Sequence, residues 1–472
     1  MNGRLERVFS SIVCINGKLR RGGQKMNLKE KYDYIIVGSG AGGGTLVREL
    51  ANRGKDVLCI EWGMPLKSVG NFMDCNNTFD FKLLPDIVPR PMRKIPLWPP
   101  KTTDGDVIMW RAICGGGSSV ISLGNGARCM EEELKSVGVD LTDEFEETER
   151  EVGLKPVGER LLSKGSRSIR DAASSLGYNF VPMPKSVDQK KCVKCHKCLY
   201  GCKYEAKWDT RGWIDEAEQK GAHILYGSKV KEVTRVNGKA TGVIAKTPKG
   251  EKKIKGGTVI LCAGGMATPV ILQQSGIESG DGFFLDIFWN TYGITSEKGH
   301  NQDHEINMAL VNLDWADDDL FLLSPFMNHD RMTRLMEMDP VRAMKSSKKM
   351  LSIMTKITDD ANGRVFADGK CSKPLTDRDW QRLKKGASIS REILTKAGAD
   401  PNSFFEGKIQ GAHPGGGAAI GAVVDSDLQT TAVDNLFVCD ASVFPAKEFS
   451  NSERLPPILT IVAFAKRLAK IL

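Results

Sequence analysis

The sequence predicts an α/β fold of Rossmann type, discontinuous along the chain, with a second α+β lobe set into it. Three observations predict this. A strand–helix–strand pattern runs from 32 to 63. Glycine-rich sequence and a further buried strand return at 411–441, some 350 residues later. Between them, residues 305–405 carry no glycine-rich cofactor signature and are rich in Met, Phe, Leu and Asp. With 472 residues the chain is long enough for two or three domains and a sizeable core.

In order, residues 1–29 read as a basic tail. Arg4, Arg7, Lys18, Arg20, Arg21 and Lys25 face only Glu6 within the first 25 positions and carry more than half of the net charge of +9. A solvated basic end explains that excess, and no zinc-finger, helix-turn-helix or RNA-binding signature accompanies it. Residues 30–304 form the first part of the nucleotide-type domain. "YIIVG" and "VLCIE" are continuous apolar runs that suit buried parallel strands. Leu46, Val47, Leu50 and Ala51 share one face of the helix between them, and Gly54 is placed to end it. A proline-rich excursion follows at 65–104. Residues 223–265 read as strands broken by turns at Asn237-Gly238 and Pro248-Lys249-Gly250. The 305–405 lobe comes next, and 406–472 complete the first domain and end in a helix. No stretch approaches the ~18 apolar residues of a membrane span. The 12 cysteines are too dilute for a secreted disulfide scaffold, and several sit in apolar strand-like runs, so the expected compartment is reducing and cytoplasmic.

Gly38-x-Gly40-x-x-Gly43 lies at the strand-to-helix turn. Such glycines permit the tight turn, let backbone N–H groups approach a pyrophosphate, and let helix and strand pack closely. Glu61 ends the second strand, where a carboxylate accepts hydrogen bonds from a ribose diol. Together these features predict a dinucleotide site.

Five further segments, "GGGSSVISLGNGAR" (115–128), "CAGGMATPVILQQSGI" (262–277), "GHNQDH" (299–304), "GAHPGGGAAIG" (411–421) and "VDNLFVCDASVFP" (433–445), stand in a fixed order. In that order the chain resembles the glucose–methanol–choline (GMC) flavoprotein oxidoreductases, from about Tyr32 to Leu472. The resemblance fails in the 305–405 lobe. It implies FAD held by Gly38, Gly40, Gly43 and Glu61, with Gly116, Gly117, Ser118 and Ser119 against the flavin, Val230 by the adenine, and Asp440 and Ala441 near the pyrophosphate. No histidine or cysteine stands in a flavinylation motif near 64–114, so the FAD is expected to be non-covalent.

The resemblance also aligns His413 with an active-site histidine, the base for alcohol oxidation by hydride transfer to flavin N5. One departure stands out. The family's second active-site His or Asn falls at Pro456 or Pro457, neither of which has a polar side chain; Asn451, Ser452 and Glu453 are the nearby candidates to replace it. Proline there suits the first turn of the last helix, whose positive end would face the flavin pyrimidine. Among the other histidines, His304 reads as structural, His300 and His329 as loop residues, and His196 as exposed. Ser118, Ser119 and Ser442 show no nucleophile-and-base pattern, which disfavours a hydrolase.

Within the cysteine-rich loop 188–208, residues 190–208 read "KKCVKCHKCLYGCKYEAKW", with Cys192, Cys195, Cys198 and Cys202 on C-x2-C-x2-C-x3-C spacing. That spacing suits a [4Fe–4S] cluster, although Lys203 stands where ferredoxins place proline. Zinc, free thiols or a disulfide are the other readings, and the family's long-chain alcohol and sterol-oxidising branches carry a cysteine-rich segment here without need of metal. Six lysines around the cysteines, opposed only by Glu205, would attract an acidic electron carrier such as a ferredoxin. The expected activity is therefore an FAD-dependent dehydrogenase acting on a sugar, polyol or lipid-like alcohol, its electrons leaving through a cluster or protein carrier. An oxygen-using oxidase, a C=C reductase and a non-catalytic electron-transfer subunit are the competing expectations.

Overall fold

The computed structural model describes residues 12–15, 18–21, 28–66, 69–70, 102, 107–297, 301–328, 334, 337–338, 340–343, 347–445 and 456–472. The remainder of the basic tail, most of the proline-rich excursion, His300, His329 and Asn451 to Glu453 lie outside the described residues.

The first sheet has the expected βαβ unit at its centre. β1 (Lys31–Val37) and β2 (Val57–Ile60) pair in parallel, Tyr34 opposite Val57, with α1 (Ala41–Asn52) crossing between them. Leu46, Val47, Leu50 and Ala51 are buried, as their helical spacing requires. Gly54 takes φ +71° and its N–H caps Ala51, ending the helix as a left-handed residue does. The strands β3 (His223–Leu225), β4 (Lys229–Val236), β5 (Lys239–Thr247) and β6 (Gly250–Leu261) follow the turn signals. Asn237 and Gly238 both take positive φ, the hairpin geometry that such a pair supplies.

β6 is the strand that joins two patterns. Its first half pairs antiparallel with β5, and its second half runs parallel to β1 and, late in the chain, to the returning strand Leu436–Val438. The 436–438 return is thus what makes the domain discontinuous. α2 (Gly264–Gln274) follows β6. The final helix, Ile458–Ile471, packs on α1, with Ile461 against Gly42, and buries Leu459, Val462 and Phe464. Each such fully buried side chain contributes about 1.5–3 kcal/mol. Lys466 breaks the apolar run, yet it is buried, because Glu147 and Glu151 lie 2.7 and 3.1 Å from its ammonium.

The second sheet orders Ile108–Met109, Gln410–Gly411, Ile287–Ile294, Met350–Ile357, Phe321–Pro325, Leu310–Asn312 and Phe180–Pro182, with Phe405–Glu406 beside Ile287–Ile294. It therefore draws strands from well outside 305–405, and the lobe is assembled from distant short segments. Its long central pair, Ile287–Ile294 and Met350–Ile357, is covered on one side by the helix Asp377–Lys396. Among the described residues no helix is long and apolar enough to cross a membrane.

Candidate functional site

A cavity of about 710 Å³ runs between the two sheets. At one end stand the β1–α1 turn and the tip of β2. Gly38 and Gly40 line the cavity, and Gly40 is the N-cap of α1, so the helix's free N–H groups face the opening. The glycines differ in what they do. A Cβ on Gly43 would overlap the Gly38 carbonyl, so Gly43 serves the turn itself and does not line the cavity. A Cβ on Gly40 would meet no protein atom within 4 Å, and the residue has φ −67°, which alanine adopts freely. Its missing side chain keeps cavity space clear. Gly40→Ala should therefore fold normally yet retain FAD at least tenfold more weakly, about 1.4 kcal/mol. Cofactor released by acid from purified protein, set against an unchanged melting profile of the cofactor-free form, measures this; full FAD content would refute it.

Glu61 is buried and lines the same end. Its Oε2 accepts from the Ser39 N–H at 2.9 Å and hydroxyl at 2.6 Å, and its Oε1 from the Gly63 N–H at 2.6 Å. Burial pushes its pKa up while these donors pull it down. Ser39 Oγ also accepts from the Gly116 N–H at 3.0 Å, tying the 115–119 segment to the turn. Gly116 itself, at φ +92°, stands behind the wall, while Gly117, Ser118 and Ser119 line it. Val230 lines the wall beside Glu61, and Asp440 and Ala441 line it near Gly38. Asp440 accepts from Ser442 N–H and Oγ, Gly264 N–H and Thr268 Oγ1, at 2.5–2.9 Å, which clamps α2 to the 441–443 turn. The last helix presents Pro456, Pro457 and Ile458 to the cavity, so its N-terminal end also opens there. An elongated cleft with two helix N-termini, a ribose-ready carboxylate and a Cβ-free floor fits the FAD that the resemblance implies.

The other end is a chamber walled by Trp110, Met183, Phe288, Met308, Leu322 and Phe326. His413 stands at its border, with a quarter of its side chain exposed to the opening. Its Nδ1 lies 2.6 Å from Asp286 Oδ2, and Lys356 Nζ lies 2.5 Å from the same oxygen. Asp286 is fully buried and Lys356 nearly so. A carboxylate can only accept, so Nδ1 carries the proton and Nε2 keeps its lone pair. Burial lowers the His413 pKa below the usual 6.5; Asp286 opposes that shift and Lys356 reinforces it. A neutral imidazole with a free nitrogen facing an apolar chamber is a proton acceptor at neutral pH. Asp286 and Lys356 escaped the sequence reading. The available signal was one charge inside each of two apolar runs, "FFLDIFW" and "LSIMTKI".

The remaining histidines separate clearly. His304 is exposed, at φ +59°, and does not line the cavity. The expectation of an exposed His196 is corrected: it is 5% exposed, because its Nε2 bonds the Met327 carbonyl at 2.8 Å and draws the ring inward.

Cys192, Cys198 and Cys202 pack against the second-sheet core, and Cys195 is exposed. All four are free, so no disulfide joins them. Among the described residues no three His, Cys, Asp or Glu side chains are grouped to hold a metal ion. The segment nevertheless adjoins the cavity: Leu199 lines it, and Lys207 Nζ donates to the Ser119 and Val120 carbonyls at 3.2 and 2.9 Å.

Comparison with known proteins adds three findings. The profile of the GMC oxidoreductase N-terminal region matches residues 18–287, and that of the GMC oxidoreductase C-terminal region matches residues 339–465. Among curated proteins, an uncharacterized protein of Methanocaldococcus jannaschii is 28% identical over 93% of this chain and 99% of its own. A long-chain-alcohol oxidase of Arabidopsis thaliana is 24% identical over 93% of this chain and 67% of its own. Among solved structures, pyridoxine 4-oxidase from Mesorbium loti superposes with a TM-score of 0.69 at 16% identity, covering 93% of this chain and 99% of that one, a likeness of fold.

Proposed function

The chain belongs to the GMC oxidoreductases, FAD-dependent enzymes acting on CH–OH groups, and on that premise we propose that its substrate is an apolar alcohol. The observation that carries this reading is the chamber beside His413. Its wall is bulky, apolar and rich in methionine, with His413 at its border; the amides Asn125, beside Met308, and Gln410, bonded to Trp110, are among the few polar side chains in the same lining. Each methylene buried there gains about 0.8 kcal/mol. Each sugar hydroxyl left without a partner costs about 1–3 kcal/mol. One hydroxyl and a long or polycyclic hydrocarbon body match that wall; a polyol does not. The methionines can repack around an irregular body.

Within this reading Gly38, Gly40 and Glu61 hold the dinucleotide end of FAD while Gly43 shapes the turn behind them, Val230 borders the adenine, and Asp440 and Ala441 border the pyrophosphate. Gly117 to Ser119 and the last helix's N-terminus border the flavin, with Gly116 behind that wall. Bound FAD supplies the hydride acceptor. His413 accepts the hydroxyl proton at Nε2, Asp286 fixes the tautomer that leaves Nε2 free, and the apolar wall keeps water from the reacting carbon. The alcohol becomes a carbonyl and gives up two protons and two electrons, the electrons leaving one at a time to two equivalents of a one-electron protein carrier that docks at the cysteine segment. The lysines around it favour an acidic carrier.

Anaerobic bleaching of the flavin by a panel of long-chain, polycyclic and sugar alcohols tests the substrate class. We expect reduction by the first two groups at micromolar concentrations and none by sugars. The opposite order would overturn the reading. The oxidases among the relatives favour a second acceptor, oxygen; fast reoxidation of the reduced enzyme by air would establish it in place of the carrier.

A further inference from the structure

The cysteine loop contains features that alcohol oxidation does not require. Between successive cysteines, Lys194 and His196 take φ +57° and +58°, a conformation that side chains rarely adopt, so the chain reverses at each interval. Backbone N–H groups reach three of the four sulfurs: that of Lys194 bonds Cys192, that of Asn307 bonds Cys198, and that of Ala206 bonds Cys202 at 3.4 Å. Burial raises the Cys192 and Cys198 pKa values and these donors oppose it, so the N–H groups are placed to stabilise sulfur that carries negative charge.

Beneath the loop lie two lysines that ordinary packing does not explain. Lys185 is 0% and Lys207 5% exposed. Lys185 Nζ bonds the Leu123 carbonyl at 3.0 Å and Asn125 Oδ1, and Lys207 Nζ bonds the Ser119 and Val120 carbonyls. Among the described residues no carboxylate stands within ion-pair distance of either ammonium. Burial pulls the pKa of both down, that of Lys185 to about 7, and negative charge close by would offset that penalty. Sulfurs face both: Cys198 and Cys192 stand near Lys185, and Cys198 and Cys202 near Lys207. Asp209 also faces Lys207, but its carboxylate is bonded by Arg211 at 2.8 Å. Glu305 faces Lys185, and burial raises its pKa to about 7, which weakens it as a counter-ion.

We propose that Cys192, Cys195, Cys198 and Cys202 hold a [4Fe–4S] cluster whose negative charge is balanced by the buried Lys185 and Lys207. A cube meets its cysteines at separate corners, so it does not require the close convergence of side chains that a single ion needs. Through Lys207 the site touches the Ser119 and Val120 carbonyls, immediately behind the Gly117–Ser119 wall of the cofactor cavity. That contact places the cluster where electrons leaving the cavity would pass.

The full chain, purified anaerobically, should contain about four irons and matching acid-labile sulfide, with a paramagnetic signal after dithionite reduction. Cys195→Ser should lose the iron while keeping its FAD. Lys185→Met should keep iron but lower the cluster potential, since reduction adds negative charge beside a missing cation; a tenfold shift of the reduction equilibrium is about 59 mV. Iron-free or zinc-loaded wild-type protein with full FAD would overturn the proposal, and it needs no variant. Unchanged potentials in both Lys185→Met and Lys207→Met would overturn the role given to the lysines. Flavin bleaching by alcohols is read separately from iron content, so failure here leaves the alcohol reading standing, and the reverse.

Discussion

His413→Ala is expected to keep FAD bound and to slow flavin reduction by the true alcohol by 100-fold or more, within the roughly 10²–10⁴ range of general-base loss. Among the described residues His413 is the only imidazole lining the cavity. Its side chain reaches the border of the apolar chamber, away from the Gly38–Glu61 end, so cofactor retention should not depend on it. The pH dependence follows from the direction of its shift. Burial disfavours the imidazolium, so the folded-state pKa lies below 6.5 and the base form prevails at neutral pH. The wild-type reduction rate should therefore rise with pH through an acid limb below 6.5 and then stay level. In the alanine variant that limb should vanish. Anaerobic single-turnover stopped flow measures both. An unchanged rate would remove His413 from the chemistry and favour a protein that only relays electrons.

The portion of this site legible in the sequence is the portion built from local pattern. The Gly38–Gly43 turn, the α1 face and Glu61 are fixed within thirty residues, where glycine spacing, helical period and strand ends constrain one another. His413 was singled out only through the family resemblance that its "GAHPGGG" segment carries. The second sheet was not legible, because its order joins segments as distant as 108–109, 180–182 and 410–411. Two- and three-residue strands have no measurable period, and their pairing is a long-range choice. Asp286 and Lys356 show the cost. They lie 70 positions apart, and they meet only because Phe288 pairs with Lys356 across antiparallel strands, which brings Asp286 to the neighbouring position. Read singly, each looks like a charge at a solvated edge. The same reasoning explains His196, whose inward turn depends on the carbonyl of Met327, 131 residues away.

Asp286→Asn should slow flavin reduction about 100-fold while leaving FAD bound, because it changes which imidazole nitrogen carries the proton. The carboxylate, held 2.6 Å from Nδ1, can only accept, and so it enforces the tautomer with a bare Nε2. An amide of the same shape can instead donate to Nδ1, and the proton then occupies the nitrogen that must act as base; a comparable change in a serine-protease triad costs about 10⁴-fold. Asp286 touches neither cofactor nor substrate in this account, so it is a positioning residue, and the rate alone does not separate that role from general damage. The acid limb does. Removing the carboxylate takes away the group that raises the His413 pKa and leaves burial and Lys356 lowering it, so the limb should move to lower pH. Lys356→Met removes a cation that lowers the same pKa, so there the limb should move to higher pH. Opposite displacements from two neighbouring substitutions are not produced by loosened packing. Breaking a buried ion pair also costs roughly 3–5 kcal/mol of stability, so melting temperature and FAD content should be read beside the rates. Limbs that move together, or stay fixed, would mean that Asp286 and Lys356 hold the wall in place and nothing more.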